Sequence, residues 1–145
     1  MFSFITGIKT YKKITFEDMQ HVLKYPEQYV IINTLREHEQ DCLIKHTISY
    51  IKEETIINEL LNNMDYKSKH IVIYGKNQND ETINKKYQQI IDFGFHYVYL
   101  YQGGMFEWLL LQDIYGKDEF PTTTQTLDIL KYKPLRVIAS QLTNY

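Results

Sequence analysis

The sequence has very little cysteine, alanine and arginine, and it has no long apolar segment. Its one cysteine, Cys42, cannot form a disulfide within the chain, which is compatible with a reducing compartment. No apolar run approaches the roughly 20 residues needed to span a bilayer. Residues 1–8 form too short an apolar stretch, without a basic start, for a secretory signal. We therefore expect a soluble, cytoplasmic protein without membrane contact.

The sequence also lacks a large excess of positive or negative charge. The formal net charge is −2, with 16 Lys and Arg against 18 Asp and Glu. Such a chain has no general attraction to nucleic acid or acidic membranes, so we predict a protein partner and no nucleic acid. The single alanine and 2 arginines stand beside 18 Ile, 14 Lys and 13 Tyr. Ile, Lys and Tyr have AT-rich codons, which favours a protist or a large DNA virus as the source, with host cytoplasm or virion as the viral locations.

What is present suffices for one packed domain. With 145 residues, of which 43% are apolar, the chain can bury a core. We predict one domain over residues 1–145, with its core at about 13–121 and a C-terminal extension at 122–145. The sequence leaves open whether the protein forms a homo-oligomer and where the tail after Pro134 lies.

Short β-branched runs alternate with segments of helical periodicity. Strands are predicted at 29–34, 71–74 and 98–100, with strand character around Ile48 in 44–50. Helices are predicted from Thr15 as N-cap, at 53–64, 80–93 and 105–115, and more weakly at 126–132, while 35–41 is predicted as a loop. The alternation predicts a three-layer α/β fold, in which helices flank a mostly parallel central sheet.

One predicted strand is followed by a long polar loop. The strand at 71–74 leads into Gly75, Lys76, Asn77, Gln78, Asn79, Asp80 and Glu81. Loop amides at the carboxyl end of a central strand often face a bound group. Here Asp80 and Glu81 stand where the next helix is predicted to begin, so they would satisfy the helix dipole and repel a bound oxyanion. We therefore expect no anion site.

The order of these segments resembles the rhodanese-like domain family over residues 13–121. Four stretches carry the resemblance, at 14–19, 30–35, 41–48 and 94–108. The last, GFHYVYLYQGGMFEW, is the most specific, with a helix that ends in Gly-Phe, a strand, and a Gly-Gly turn before an aromatic-rich helix. The resemblance implies sulfur transfer through a cysteine persulfide, or phosphatase chemistry in the same amide cradle. It also implies a nucleophilic cysteine directly after the strand, where this chain has Gly75.

Glycine offers no nucleophile, so we predict a catalytically inactive member of the family, a pseudoenzyme without catalytic residues, cofactor or metal. Residues 75–81 would be a degenerate active-site loop, and Gly75 would be kept for its backbone conformation, since glycine permits a positive φ. Other positions also differ from what the resemblance implies. Asn33 and Leu35 stand where it implies Asp and Arg, and Leu43 and His46 stand where it implies His and Gly. The predicted role is to bind or scaffold an unidentified protein partner.

Two alternatives stay open. Cys42 lies four residues from both His38 and His46, a spacing that on a helix would place a thiol and two imidazoles on one face. A sulfurtransferase that uses Cys42, or a site completed by a partner's residue, is the first alternative. A structural or virion-associated viral protein, suggested by composition alone, is the second.

Overall fold

A computed structural model describes residues 10–138, so the apolar stretch at residues 1–8 and the end of the tail lie outside the described residues. The strands are β1 (Lys13–Ile14), β2 (Tyr29–Asn33), β3 (His70–Tyr74) and β4 (Val98–Tyr101). They form a parallel sheet in the order β1-β4-β3-β2. The helices are α1 (Phe16–Leu23), α2 (Tyr50–Asn62), α3 (Thr82–Asp92) and α4 (Gly104–Tyr115). The predicted α/β architecture is confirmed.

Both faces of the sheet are covered by helices, because alternate strand residues point to opposite sides. On one face the strands pack against α1 and α4, through Ile31, Val72, Met19 and Trp108 among others. On the other face they pack against α2 and α3, through Ile32, Ile73, Ile57 and Ile90 among others. Burial on both faces explains why β2 and β3 are continuous apolar runs in the sequence.

Helix α1 begins where its sequence predicts. The Asp18 N–H donates to Thr15 Oγ1 at 3.2 Å, and the Thr15 N–H donates to the Asp18 carboxylate at 2.9 Å. This reciprocal capping box satisfies two backbone donors that the first turn leaves without helical partners. Among residues 10–138, no helix is long and apolar enough to cross a membrane.

The strand predicted around Ile48 is wrong. Ile44 and Thr47 make only isolated bridges, because the chain turns at His46, whose φ is +68°. Helix α2 then begins at Tyr50 rather than at residue 53, since Ser49 caps its first turn by accepting from the Lys52 N–H. The local turn and cap therefore override the strand propensity of this segment.

Four other predictions need correction. Helix α2 ends at Asn62 rather than at 64, where Met64 adopts a φ of +53°. Helix α3 begins at Thr82 rather than at 80, because the carboxylate of Asp80 lies before the helix and accepts from the Thr82 N–H at 3.0 Å. A 3-10 turn at Glu37–Glu39 interrupts the loop predicted at 35–41, and the weak helix predicted at 126–132 is only a 3-10 turn at Ile129–Tyr132.

The carboxyl ends of three strands lie level with one another. In the sheet register, Asn33 pairs with Tyr74, and Tyr74 pairs with Tyr101. The segments that follow β2, β3 and β4 therefore leave the sheet side by side. Parallel α/β sheets usually bind their ligands at this edge, and the polar loop at 75–81 lies at its centre.

Candidate functional site

The loop after β3 rests on the N-terminus of α4. The Gly75 and Lys76 carbonyls accept from the Met105 and Phe106 N–H groups, at 3.0 and 2.9 Å. Gly104 lies against this loop with a φ of +68°, and a Cβ on it would come within 2.7 Å of the Gly75 carbonyl oxygen. The second glycine of the Gly-Gly turn is thus required by its left-handed backbone and by close contact with the loop.

The carboxylate of Asp80 folds back into its own loop. One oxygen accepts from the Lys76 N–H at 2.9 Å, and the other accepts from the Thr82 N–H at 3.0 Å and from Thr82 Oγ1 at 2.5 Å. The backbone amides that precede and begin α3 therefore already bind an anion of this chain. Glu81, the second acidic residue of the predicted pair, is exposed.

Gly75 is required by space and not by backbone conformation. Its φ lies outside the left-handed region, in contrast to Gly94, Gly104 and Gly116. A Cβ at Gly75 would come within 3.0 Å of Asp80 Oδ2, Ile83 Cγ2 and Thr34 Oγ1, which real Cβ atoms essentially never do. The expectation that Gly75 serves a positive φ is therefore wrong. A Cβ at residue 75 would instead force the carboxylate of Asp80 to move from the hydrogen bonds that hold it.

Lys76 forms an ion pair across the site. Its Nζ lies 2.8 Å from Glu39 Oε2, and Glu39 also accepts from the Arg36 N–H at 3.0 Å. Burial raises the pKa of Glu39, but the hydrogen bonds from Lys76 and Arg36 outweigh it, so that this pKa lies below its usual value. The Glu39 carboxylate is therefore ionised and internally neutralised.

Asn77 connects the loop to the C-terminal extension. It is buried, and its Nδ2 donates to the Tyr132 carbonyl at 2.9 Å while its Oδ1 accepts from the Asn79 N–H at 3.0 Å. The Tyr132 ring is fully buried, and its hydroxyl has no hydrogen-bond partner among the described residues. This contact holds the extension against the loop, an arrangement that the sequence did not indicate.

A cleft of about 560 Å³ opens between the loop and the extension. We call it the loop cleft and define it by its lining, which comprises Thr34, Leu35, Arg36, Glu39, Lys76, Asn77, Asn79, Asp80, Thr82, Lys133, Leu135 and Val137. The predicted residues Lys76, Asn77, Asn79 and Asp80 are thus brought together. Sequence reasoning missed the lining residues beyond Tyr132, because nothing in their local pattern marks where the extension packs.

Cys42 lies apart from the loop cleft. Its side chain is only 1% exposed and packs in the core with Leu43 and Tyr132. Its Sγ donates to the Thr124 carbonyl at 3.4 Å. Among residues 10–138, no group of three or more His, Cys, Asp or Glu side chains is arranged to hold a metal ion. His38 lies in the 3-10 turn Glu37–Glu39, Cys42 in a bend and His46 in a turn, so the three residues do not share one helix.

Two of the positions that differ from what the resemblance implies, Asn33 and His46, shape the local backbone of this chain. The buried Asn33 accepts from the Leu35 N–H at 3.0 Å and from Gln40 Nε2 at 2.7 Å, so this amide pair closes the loop after β2. His46, at a position where the resemblance implies glycine, adopts a left-handed φ of +68°. A residue with a side chain therefore adopts a backbone conformation that residues other than glycine rarely take.

The fold and the site together define a parallel α/β domain with an amide-lined loop at the carboxyl end of a central strand. The profile of the rhodanese-like domain family matches residues 24–111, well over half of the chain. The chain therefore belongs to the rhodanese-like domain family, which confirms the resemblance.

Solved structures support the same fold. The chain is similar to the BH2092 protein from Bacillus halodurans, with a TM-score of 0.56, 18% identity, and coverage of 92% of this chain and 90% of that one. It is similar to the rhodanese-like domain of the Alr3790 protein from Anabaena, with a TM-score of 0.55, 18% identity and 88% of each chain covered.

A third similar structure is the As-Sb reductase from Leishmania major, with a TM-score of 0.50, 16% identity, and coverage of 73% of this chain and 79% of that one. The search of curated proteins found no match. At these identities the similarity concerns the fold alone, and function has to be argued from the site.

Proposed function

We propose that this protein is a binding or scaffold module that lacks the sulfur-transfer and phosphatase chemistry implied by the family. The observation that carries the proposal is the position of the Asp80 carboxylate, which accepts from the Lys76 and Thr82 amides at 2.9 and 3.0 Å. A cysteine thiolate, persulfide or phosphate group would need those donors. Here they are occupied, and the space beside Gly75 is filled.

Electrostatics supports the same conclusion. A thiolate at residue 75 would lie directly against the carboxylate of Asp80, and a neighbouring negative charge raises the pKa of a thiol. The thiol would thus be kept protonated and poorly nucleophilic. A bound oxyanion would meet the same repulsion at the start of α3.

The alternative nucleophile is poorly placed for the same chemistry. Cys42 is buried, and its Sγ donates to the Thr124 carbonyl instead of facing the loop cleft. A sulfur carrier has to meet donor and acceptor molecules, so it has to be accessible. The alternative of a structural or virion-associated viral protein continues to rest on composition alone.

Two assays on the purified protein test the loss of chemistry. Sulfur transfer from thiosulfate to cyanide and hydrolysis of a generic phosphomonoester should both stay at background. The Gly75→Cys variant should also stay at background, because its thiol faces a carboxylate. Gly75→Cys/Asp80→Ser removes that carboxylate, and any gain of sulfur transfer should require both changes. Activity of the unaltered protein that disappears in Cys42→Ser would overturn the proposal.

The binding role needs substitutions that spare the fold. Asn77 is unsuitable because its buried amide holds the extension, whereas Gln78 and Asn79 are exposed on the loop. Gln78→Ala/Asn79→Ala should keep the thermal midpoint and weaken capture of a partner from source-cell lysate. The matched control, Gln28→Ala/Asn62→Ala, changes the same residue types at exposed positions elsewhere and should leave capture intact. Equal capture by both variants would show that the loop is not the interface.

A further inference from the structure

We infer that the loop cleft binds an acidic, partly apolar segment of a partner protein in an extended conformation. The inference rests on the proposed function, since it gives the chemistry of the partner that such a binding module would take. The volume of about 560 Å³ is within the range of sites that enclose a ligand. The charges, the apolar surface and the anchoring of the extension each bear on the occupant.

The charges of the loop cleft are unevenly satisfied. Its two carboxylates are both engaged, Glu39 by Lys76 at 2.8 Å and Asp80 by the loop amides. Arg36 and Lys133 also line the cleft and are exposed, and the ion pairs found among residues 10–138 include neither of them. Arg36 and Lys133 thus carry positive charges that no carboxylate of the cleft neutralises, so the cleft is complementary to a carboxylate side chain of a partner.

The extension supplies an apolar strip beside these cations. Lys133 has extended backbone angles and residues 134–136 have no regular secondary structure. Lys133, Leu135 and Val137 line the cleft at alternate positions of this segment. Leu135 and Val137 belong to the cleft lining and are 87% and 61% exposed, so the cleft has apolar side-chain surface in contact with solvent. A partner segment with an acidic residue near Lys133 and apolar residues further along would cover both features. Because the cleft-lining side chains of the strip occur at every second position, an extended partner segment, whose side chains alternate in the same way, can match them.

Buried contacts of Tyr132 anchor the start of the apolar strip. The fully buried Tyr132 ring and the 2.9 Å hydrogen bond from Asn77 Nδ2 to the Tyr132 carbonyl fix the start of the strip against the loop. The cleft wall is therefore formed before a partner arrives, which lowers the entropy that binding has to overcome. Because the whole chain carries a net charge of −2, an acidic peptide gains no general attraction and depends on this local site.

The test uses fluorescence anisotropy with a short, fluorescein-labelled peptide that alternates Glu and Leu. A matched peptide with Gln for Glu removes the charge and keeps the shape. The acidic peptide should bind, the Gln peptide should bind at least about fivefold more weakly, and the difference should shrink as salt is added.

Variants locate the binding. Arg36→Glu/Lys133→Glu should weaken binding of the acidic peptide by about tenfold or more, because two attractions become two repulsions. Lys24→Glu/Lys67→Glu changes the net charge equally at exposed positions outside the cleft and should leave binding unchanged. Leu135→Ser tests the apolar strip and should weaken binding by about fivefold. Circular dichroism checks that each variant is folded.

Three results would overturn the inference: no binding of the acidic peptide, equal binding of both peptides, or equal weakening by the cleft and control variants. If any of these occurs while the transfer assays stay at background, the partner chemistry is wrong and the binding module stands. If sulfur transfer or phosphatase activity appears, the proposed function itself fails, whatever the peptide does.

Discussion

The role of Asp80 in excluding a side chain from residue 75 can be measured by a double-mutant cycle. Gly75→Ala introduces a Cβ within 3.0 Å of three side-chain atoms, of which Asp80 Oδ2 is the nearest. Overpacking of this kind costs about 1–3 kcal/mol. Because the backbone at Gly75 suits an L-residue, alanine also removes unfolded-state entropy, which offsets about 0.4–1 kcal/mol. We expect a net loss of about 1–2 kcal/mol.

The second edge of the cycle is Asp80→Ala. This change removes acceptors for the Lys76 and Thr82 amides, so it should itself destabilise the protein by about 2 kcal/mol. In that background the nearest obstacle to a Cβ is gone, and Ile83 Cγ2 and Thr34 Oγ1 remain at 2.9 Å. Gly75→Ala should then cost only about 0.5 kcal/mol, a coupling of about 1 kcal/mol that exceeds the usual error of additivity.

Urea unfolding supplies the free energies. Trp108 is the single tryptophan and is fully buried, so its fluorescence reports loss of the core. The denaturant slope should be unchanged in every variant, since the change in exposed surface is the same. Glu81→Ala is the matched control, because it removes an exposed carboxylate next in sequence, and its effect should add to that of Gly75→Ala. An equal cost of Gly75→Ala with and without Asp80 would refute the steric reasoning.

Three further predictions use contrasting positions. Tyr132→Phe should stabilise the protein by about 1 kcal/mol, because it removes a buried hydroxyl without a partner among the described residues. Tyr74→Phe should instead destabilise the protein by about 1–3 kcal/mol, since the Tyr74 hydroxyl accepts from a buried backbone N–H at 3.1 Å. The urea midpoint should therefore rise in the first variant and fall in the second. The folded pKa of Glu39 lies below its usual value, so its ion pair should stabilise the protein above that usual value and lose its effect as pH falls through the lower, folded pKa. Accordingly, Glu39→Gln should be about 1 kcal/mol less stable than the unaltered protein at neutral pH and equal to it in acid, and denaturation at both pH values checks this. Gly104→Ala should cost about 3 kcal/mol or more because strain at a φ of +68° adds to a backbone collision, whereas Gly116→Ala, with nothing within 4 Å, should cost only the strain of about 1 kcal/mol; similar thermal midpoints for the two would contradict this.

The local elements of this fold were predictable because their signals are local. The Thr15 cap and the apolar runs of β2 and β3 each act over a few residues, and Gly94 ends α3 with a φ of +108°. Where a local propensity conflicted with a turn, the prediction failed, as at Ile48, whose β-branched neighbourhood lies between a left-handed His46 and the Ser49 cap.

The sequence by itself determined the α/β class, the polar loop after β3 and the absence of a nucleophile at residue 75. Only the tertiary structure decided why glycine is there, because the collision with Asp80 depends on how the loop folds back on α3. It also decided that the extension forms a wall of the loop cleft. The physical reason is range: periodicity and caps depend on neighbours along the chain, whereas packing brings together residues as distant as Asn77 and Tyr132.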